Sequence, residues 1–238
     1  MSEPRDAAAA RAIRDVFSEV PATYELINRV LTFGLDVVWR RRAVKVAAGG
    51  RGGEWLDMCS GTGETAVYLS RLAPEGTRVL AADFCPAMMA EARRKPEAKR
   101  VEFVPADIRA LPFADGSLDL VTMSFAMRNV NVSREALIES FAELHRVLKP
   151  GGRFVSVETS QPPTSLVRTC FHIYVKLVVE RIGALISGYR PGYAMLSSTI
   201  RRFYPAEELA DIMKEAGFGK VTFRRMFFGA AAIHEAEK

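Results

Sequence analysis

The stretch WLDMCSGTGETA, Trp55–Ala66, passes from an apolar run through an acid and two glycines into a helix-forming sequence. The residues EWLDM suit a buried strand and TAVYLSRLA the helix after it, which makes Asp57–Gly63 the connection between them. Gly61 and Gly63 allow a ligand close to the main chain, at a helix start whose N–H groups have no intrahelical partner. Taken alone, a Gly-x-Gly segment is equally an ordinary strand-to-helix turn.

The surrounding sequence repeats the pattern. TRVLAAD, RVEFVPAD, SLDLVTMS and RFVSVE are further strand candidates, and AMMAEARRK and SREALIESFAELHRVL are helices between them. In the second helix Leu137, Phe141, Leu144 and Leu148 recur every three or four residues. Strands alternating with helices imply a parallel sheet covered on both faces. Near the C-terminus the helix AEELADIMKEAGF is followed by KVTFRRMFF and AAAIHEA, separated by little more than Gly229, so these two strands must run antiparallel. The expectation is an α/β, Rossmann-like fold with a mostly parallel seven-stranded sheet ending in an antiparallel hairpin. Before Glu54 the pattern is helical: RAIRDVFSEV, a break at Pro21, TYELINRVL, and WRRRAVKVAA up to Gly49-Gly50.

Composition narrows the class. The chain has 238 residues, 49% of them apolar, enough for one domain with elaborations. The net charge of +5 and clusters such as Arg40-Arg41-Arg42 suit an anionic partner, although charge runs are most often solvated helix faces. Cys59, Cys85 and Cys170 lie far apart, as do His145, His172 and His234, so neither a disulfide framework nor a metal site is expected. The N-terminus has no signal-peptide core, and Leu166–Ile186 carries Arg168, His172, Lys176 and Glu180 at four-residue spacing, which reads as an amphipathic helix. A cytoplasmic protein is expected.

The acids that follow strands point to a ligand. Asp83 ends the second strand about twenty residues beyond the glycine loop, where a carboxylate can accept both hydroxyls of a ribose. Asp107 follows the third strand in the same way. The loop reads DxCxGxG, with Asp57 at its head, Glu64 just beyond and no third glycine, which favours a cationic amino group over a pyrophosphate. S-adenosylmethionine fits this pattern. The loop would line its amino acid part, Asp83 would hold the ribose, Met88 would pack on adenine and Asp107 would accept the exocyclic amine. Solvated loop acids are the plainer reading of Asp83 and Asp107, and three acids in register after three strands weigh against it.

Two longer stretches carry a family resemblance. YELINRVLTFGLDVVW, Tyr24–Trp39, and RVLKPGGRFVSVETS, Arg146–Ser160, look like the two signatures of the family that C-methylates prenylated quinols in ubiquinone and menaquinone biosynthesis, within the class I S-adenosylmethionine-dependent methyltransferases. SFAMRNV, STIRRFYPAEELADIMKEAGF and GAAAIHEA resemble further family segments, so the likeness runs from about Val16 to His234. Asp36 stands where the first signature usually has histidine, Glu25 and Ile27 replace aspartate and methionine, and Ala126 replaces a glycine.

The resemblance implies methyl transfer to a quinol carbon, demethylmenaquinol to menaquinol, with S-adenosylhomocysteine as co-product. A 2-methoxy-6-polyprenyl benzoquinol is the sister acceptor, and another small lipophilic acceptor is a further alternative. It implies cofactor contacts from Asp57, Cys59, Gly61, Thr62, Gly63, Asp83, Met88, Asp107, Ile108 and Ser124. Arg128 and Asn129 would be catalytic, the first stabilising a quinolate and the second positioning its oxygen or a water. A loop arginine and a helix-capping asparagine are the plainer readings of that pair. Residues 1–50 would form a helical cap and 51–238 the methyltransferase domain, with a helical lid at about 161–203. Phe17, Tyr24, Phe33, Asp36, Trp39, Phe171 and Tyr174 would line an apolar tunnel for the isoprenoid tail. Such a substrate implies peripheral contact with the inner face of a membrane, and a homodimer is compatible with the reading. A nucleic acid or protein acceptor is disfavoured because SFAMRN replaces the Asn/Asp-Pro-Pro-aromatic segment common in amino-methylating enzymes. A non-catalytic, S-adenosylmethionine-binding assembly protein is disfavoured by the intact loop, acids and Arg128.

Overall fold

The computed structural model describes residues 21–130, 133–187 and 190–238. Helices α1 (Pro21–Thr32) and α2 (Leu35–Ala47) precede strand β1 (Glu54–Met58). Then follow α3 (Glu64–Leu72), β2 (Arg78–Asp83), α4 (Pro86–Arg94), β3 (Val101–Pro105), β4 (Leu118–Ser124), the one-turn helix α5 (Met127–Val130), α6 (Arg134–Val147) and β5 (Leu148–Thr159). After β5 come α7 (Ser165–Tyr174), a π-helical turn at Val175–Val179, α8 (Glu180–Ser187) and α9 (Arg190–Arg202). The chain closes with α10 (Ala206–Glu215), β6 (Lys220–Met226), a 3₁₀ turn at Phe227–Gly229 and β7 (Ala231–Glu237).

The seven strands form one sheet in the order β3-β2-β1-β4-β5-β7-β6. The first five are mutually parallel, and β7 pairs antiparallel with both β5 and β6. Successive side chains of each strand enter opposite layers, because the strand period is two. Leu56, Met58 and Phe154 pack with Phe141, Leu144 and Met213 on one face. Trp55, Leu120 and Val155 pack with Trp39, Val44 and Leu69 on the other. Burial on both faces explains why the parallel strands read as continuous apolar runs.

One helix cap and one strand boundary differ from the sequence reading. Ser133 caps α6, its Oγ accepting the Ala136 N–H at 3.1 Å, whereas Asn129 lies inside α5, so the capping reading of Asn129 is corrected. Leu148 is the first residue of β5 rather than the end of α6, and β5 runs back through Pro150–Gly152. After α7, the π turn brings both Val175 and Val179 inward against Ile27 and Leu31 of α1, a third apolar cluster separate from the sheet. The RAIRDVFSEV helix and Phe17 lie outside the described residues.

The strand order reverses between β1 and β4, and ligands of open α/β sheets bind at the carboxyl edge of such a switch point. Asp57, Asp83 and Ser124 all sit at that edge.

Candidate functional site

Two adjoining spaces occupy the carboxyl edge. The first is a cleft over the glycine loop, lined by Asp57, Gly61, Asp83, Met88, Ile108 and Ser124 among others. Its head is Asp57, 1% exposed and paired in register with Thr122 of β4, whose hydroxyl donates to Oδ1 at 2.7 Å. Oδ2 has no partner among the described residues. Burial pushes the Asp57 carboxyl up to about 7, against the opposing effects of the Thr122 bond and the Arg40 charge.

Asp83 does more than wait for a ligand. Its Oδ2 accepts the Gly61 N–H and its Oδ1 the Cys85 N–H, each at 2.8 Å. The carboxylate therefore fixes the glycine loop, and each oxygen keeps acceptor capacity for a hydroxyl. Burial raises its pKa, with the backbone bonds acting the other way. Ser60 and Gly63 also spend their N–H groups within the fold, on Ala82 O and Ser60 O, so the loop offers fewer free donors than its sequence suggests.

The two loop glycines have different duties. Gly61 has φ +54 and nothing within 4 Å of where a Cβ would stand, so a side chain there would fill the cleft. Gly63 has φ +77, and its Cβ would lie 3.1 Å from Ala92 Cβ. Gly63 does not line the cleft; it lets α3 start close against α4.

Asp107 and Arg109 line the cleft as an ion pair, Nη2 to Oδ2 at 2.6 Å and Nε to Oδ1 at 3.1 Å. The carboxylate expected to take an exocyclic amine is thus already occupied in part by its neighbour. Cys59, left-handed at φ 54, and Thr62 complete the loop, and burial pushes the Cys59 thiol up. Helix α1 closes over them: Glu25 accepts from Thr62 Oγ1 at 2.7 Å and from Lys95 Nζ, which also donates to Thr62 O at 2.7 Å. Tyr24 lines this first cleft, not the apolar space to which the sequence reading assigned it.

The second space is an apolar cavity between α1, α2, α7, the π turn, α9 and the Phe227–Gly229 turn. Phe33, Asp36, Trp39, Phe171 and Tyr174 line it, as do Arg128 and Thr159. Arg128 and Asn129 part company here. Neighbours on a helix point about 100° apart, and Asn129 lines the first cleft while Arg128 lines the second. Arg128 Nη1 donates to Glu158 Oε1 at 2.6 Å and to Phe125 O at 2.7 Å. Glu158 is fully buried and also accepts the Thr159 N–H at 2.7 Å. The Arg128 charge is therefore met inside the protein, and its expected freedom to stabilise an oxyanion is reduced.

Sequence reading missed three residues that shape the site. Glu158 carried a signal, an acid within a strand buried on both faces, where a charge needs a partner. Arg40 and Phe125 carried none. Both line both spaces, so the cleft and the cavity meet at them. The Arg40 guanidinium lies 4.9 Å from the Phe125 ring centroid, and Phe125 is held at φ 57 beside Trp39. Arg40 Nη1 donates to Thr65 Oγ1 at 3.3 Å, and Thr65 Oγ1 to Ser124 Oγ at 3.0 Å.

The first cleft fits an amino acid bearing a nucleoside. The orphaned Asp57 oxygen suits an ammonium, buried Arg40 a carboxylate, Asp83 a pair of hydroxyls, and Met88 with Ile108 a flat base. Among the described residues no three His, Cys, Asp or Glu side chains are grouped to hold a metal, and no helix is long and apolar enough to cross a membrane.

Residues 5–238 match the family described as the ubiE/COQ5 methyltransferase family. A demethylmenaquinone methyltransferase of Thermus thermophilus is 42% identical over 225 residues, covering 94% of this chain and 100% of its own. A ubiquinone/menaquinone biosynthesis C-methyltransferase of Geobacter sulfurreducens is 37% identical, covering 95% of this chain and 88% of its own. A solved S-adenosylmethionine-dependent methyltransferase of Thermotoga maritima superposes with a TM-score of 0.67 at 20% identity, covering 94% of this chain and 99% of its own, a likeness of fold.

Proposed function

The chain belongs to the ubiE/COQ5 methyltransferase family, and on that premise we propose that it methylates a ring carbon of a prenylated quinol, with demethylmenaquinol as the acceptor. The observation that carries this reading is the meeting of an amino-acid-matched cleft with an apolar cavity at Phe125 and Arg40. When bound, S-adenosylmethionine supplies an electrophilic methyl group on a sulfonium centre. Asp57 and Arg40 hold the amino acid end, and Asp83 holds the ribose. Phe125 stands where the methyl crosses from one space to the other. Alignment of the acceptor carbon in line with the donor contributes a large share of the rate.

In the second space Arg128, anchored by Glu158, orients the ring oxygen, and Asn129 positions that oxygen or a water from the cofactor side. The isoprenoid tail lies along the apolar cavity, between helices α1 and α2 on one side and a lid formed by α7 to α9 on the other. Phe33, Phe227 and Phe228 line this cavity and remain 80%, 57% and 77% exposed. Aromatic side chains at the mouth of a lipid-accepting cavity suit contact with a membrane surface, from which the tail can enter. The enzyme then works in the cytoplasm, peripherally at the inner face of the membrane.

The deciding experiment follows methyl transfer from isotopically labelled S-adenosylmethionine to reduced demethylmenaquinone, in detergent, with the demethylated benzoquinol in parallel. Transfer to the naphthoquinol is expected. Transfer to neither acceptor, with cofactor binding confirmed by calorimetry, overturns the substrate.

A further inference from the structure

The proposed transfer leaves a proton to be placed. A quinol carbon gains nucleophilicity as its ring hydroxyl gives up a proton, so a base must face the ring. Arg128 is tied to Glu158 and a guanidinium has no acceptor, while Asn129 faces the cofactor cleft. Among the described residues three charged side chains line the apolar cavity, Asp36, Arg40 and Arg128. Asp36 is the one carboxylate of the three. We infer that Asp36 is the general base that takes the ring hydroxyl proton, an inference that rests on the quinol methyltransferase reading above.

The surroundings of Asp36 suit a group that changes protonation. It lies in the first turn of α2 and is 3% exposed. Its Oδ1 is 2.8 Å from Thr32 Oγ1, and the same hydroxyl is 2.8 Å from Asn28 O. One hydroxyl hydrogen faces two acceptors. With Asp36 ionised, the Thr32 hydroxyl donates to Oδ1. With Asp36 protonated, the hydroxyl turns to Asn28 O and can accept from the carboxyl. Both states are satisfied without moving the backbone, which the Asp36 N–H holds through Thr32 Oγ1 at 3.2 Å.

The charged groups around it are Arg40 one turn along α2, Arg128 from α5, and Arg29 of α1, which feels the Asp36 charge. The lid adds Cys170 and Tyr174, whose hydroxyl already donates to Leu31 O at 2.5 Å.

The step balances as follows. The O–H bond of the quinol breaks, its proton bonds to Asp36, and its electron pair moves into the ring as the carbon–methyl bond forms and the methyl–sulfur pair leaves with sulfur. A carboxylate is strong enough because the hydroxyl becomes acidic as the ring loses electron density. The methylated carbon then gives its hydrogen to water as a proton, and Asp36 returns its own proton to the ring oxygen. One proton is released per turnover and the carboxylate is regenerated.

The test uses the full chain, Asp36→Asn and Asp36→His. Asn keeps an oxygen for Thr32, and histidine is the usual residue of the family signature at this position. Asp36→Asn is expected to lower kcat about 100-fold, to leave S-adenosylmethionine affinity by calorimetry within twofold, and to lose the acidic limb of the kcat–pH profile. Asp36→His is expected to restore part of the rate with that limb moved up toward the imidazole range. A binding readout needs no methyl donor: wild type is expected to prefer 1-naphthol over 1-methoxynaphthalene about tenfold, as a charge-assisted hydrogen bond predicts, and Asp36→Asn to lose that preference. Full kcat in Asp36→Asn, a lower kcat with the acidic limb intact, or an unchanged naphthol preference overturns the assignment. If Asp36→Asn does not fold, the displacement of the limb between wild type and Asp36→His decides. If wild type transfers no methyl to either quinol, the substrate reading fails, and the naphthol pair still judges Asp36.

Discussion

Arg128 Nη1 lies 2.6 Å from Glu158 Oε1, joining helix α5 to the end of β5 across thirty residues of sequence, with the carboxylate entirely inside the protein. A buried pair of this kind is costly to break from one side, because the remaining charge stays without a partner. Glu158→Gln is expected to lower unfolding free energy by about 3–5 kcal/mol, read from denaturant midpoints. Arg128→Ala is expected to lower methyl transfer about 100-fold with S-adenosylmethionine affinity nearly unchanged. Unchanged turnover removes Arg128 from the reaction.

Asp57 gives cofactor binding a proton signature. Burial holds its carboxyl up to about 7 in the protein without ligand, and an ammonium at Oδ2 favours the ionised form. Binding near pH 6.5 is expected to release a proton, measured as a dependence of calorimetric heat on buffer ionisation enthalpy. Asp57→Asn should abolish that dependence.

The glycine pair separates binding from folding. Gly61→Ala and Gly63→Ala each place a side chain at positive φ, a penalty of about 1–2 kcal/mol. Only Gly63→Ala adds crowding, against Ala92, and only Gly61→Ala projects into the cleft. Gly63→Ala should have the lower melting temperature of the two, and Gly61→Ala the greater loss of cofactor affinity. Equal cofactor affinities in the two variants would refute the division.

His234 contributes acid sensitivity. It is buried, with Nε2 2.9 Å from Ala206 O, and burial holds it down to about 4, below the ordinary 6.5. The unfolded chain binds the proton more readily, so this contribution is fully present above pH 6.5 and is lost as pH falls toward 4, by about 3 kcal/mol. Ionisation of Asp57 acts oppositely in the same window, its stabilisation being lost as pH rises toward 7. Unfolding measurements on His234→Gln and wild type at pH 7 and pH 4.5 isolate the histidine: their stability difference should shrink at the lower pH.

The exposed aromatics at the cavity mouth predict a surface preference. Wild type is expected to float with phosphatidylglycerol vesicles at low salt, and Phe33→Ser with Phe228→Ser to reduce that fraction several-fold while leaving the melting temperature unchanged. No vesicle-bound wild-type protein at low salt counts against membrane contact.

Much of the framework was legible in the chain because it depends on local periodicity. Strand period, helix period and the acids after strands are properties of neighbouring residues, and they identified the parallel sheet, the C-terminal antiparallel pair and the positions of Asp57 and Asp83 at one edge. The tertiary structure decided what those residues do to one another. Glu158 meets Arg128, Asp107 turns to Arg109, Asn129 and Arg128 face different spaces, and Arg40 with Phe125 stands where the two spaces join. Charge and cavity shape depend on side chains from separate elements meeting at a few ångströms. Sequence spacing encodes the first kind of information directly and the second only through the folded chain.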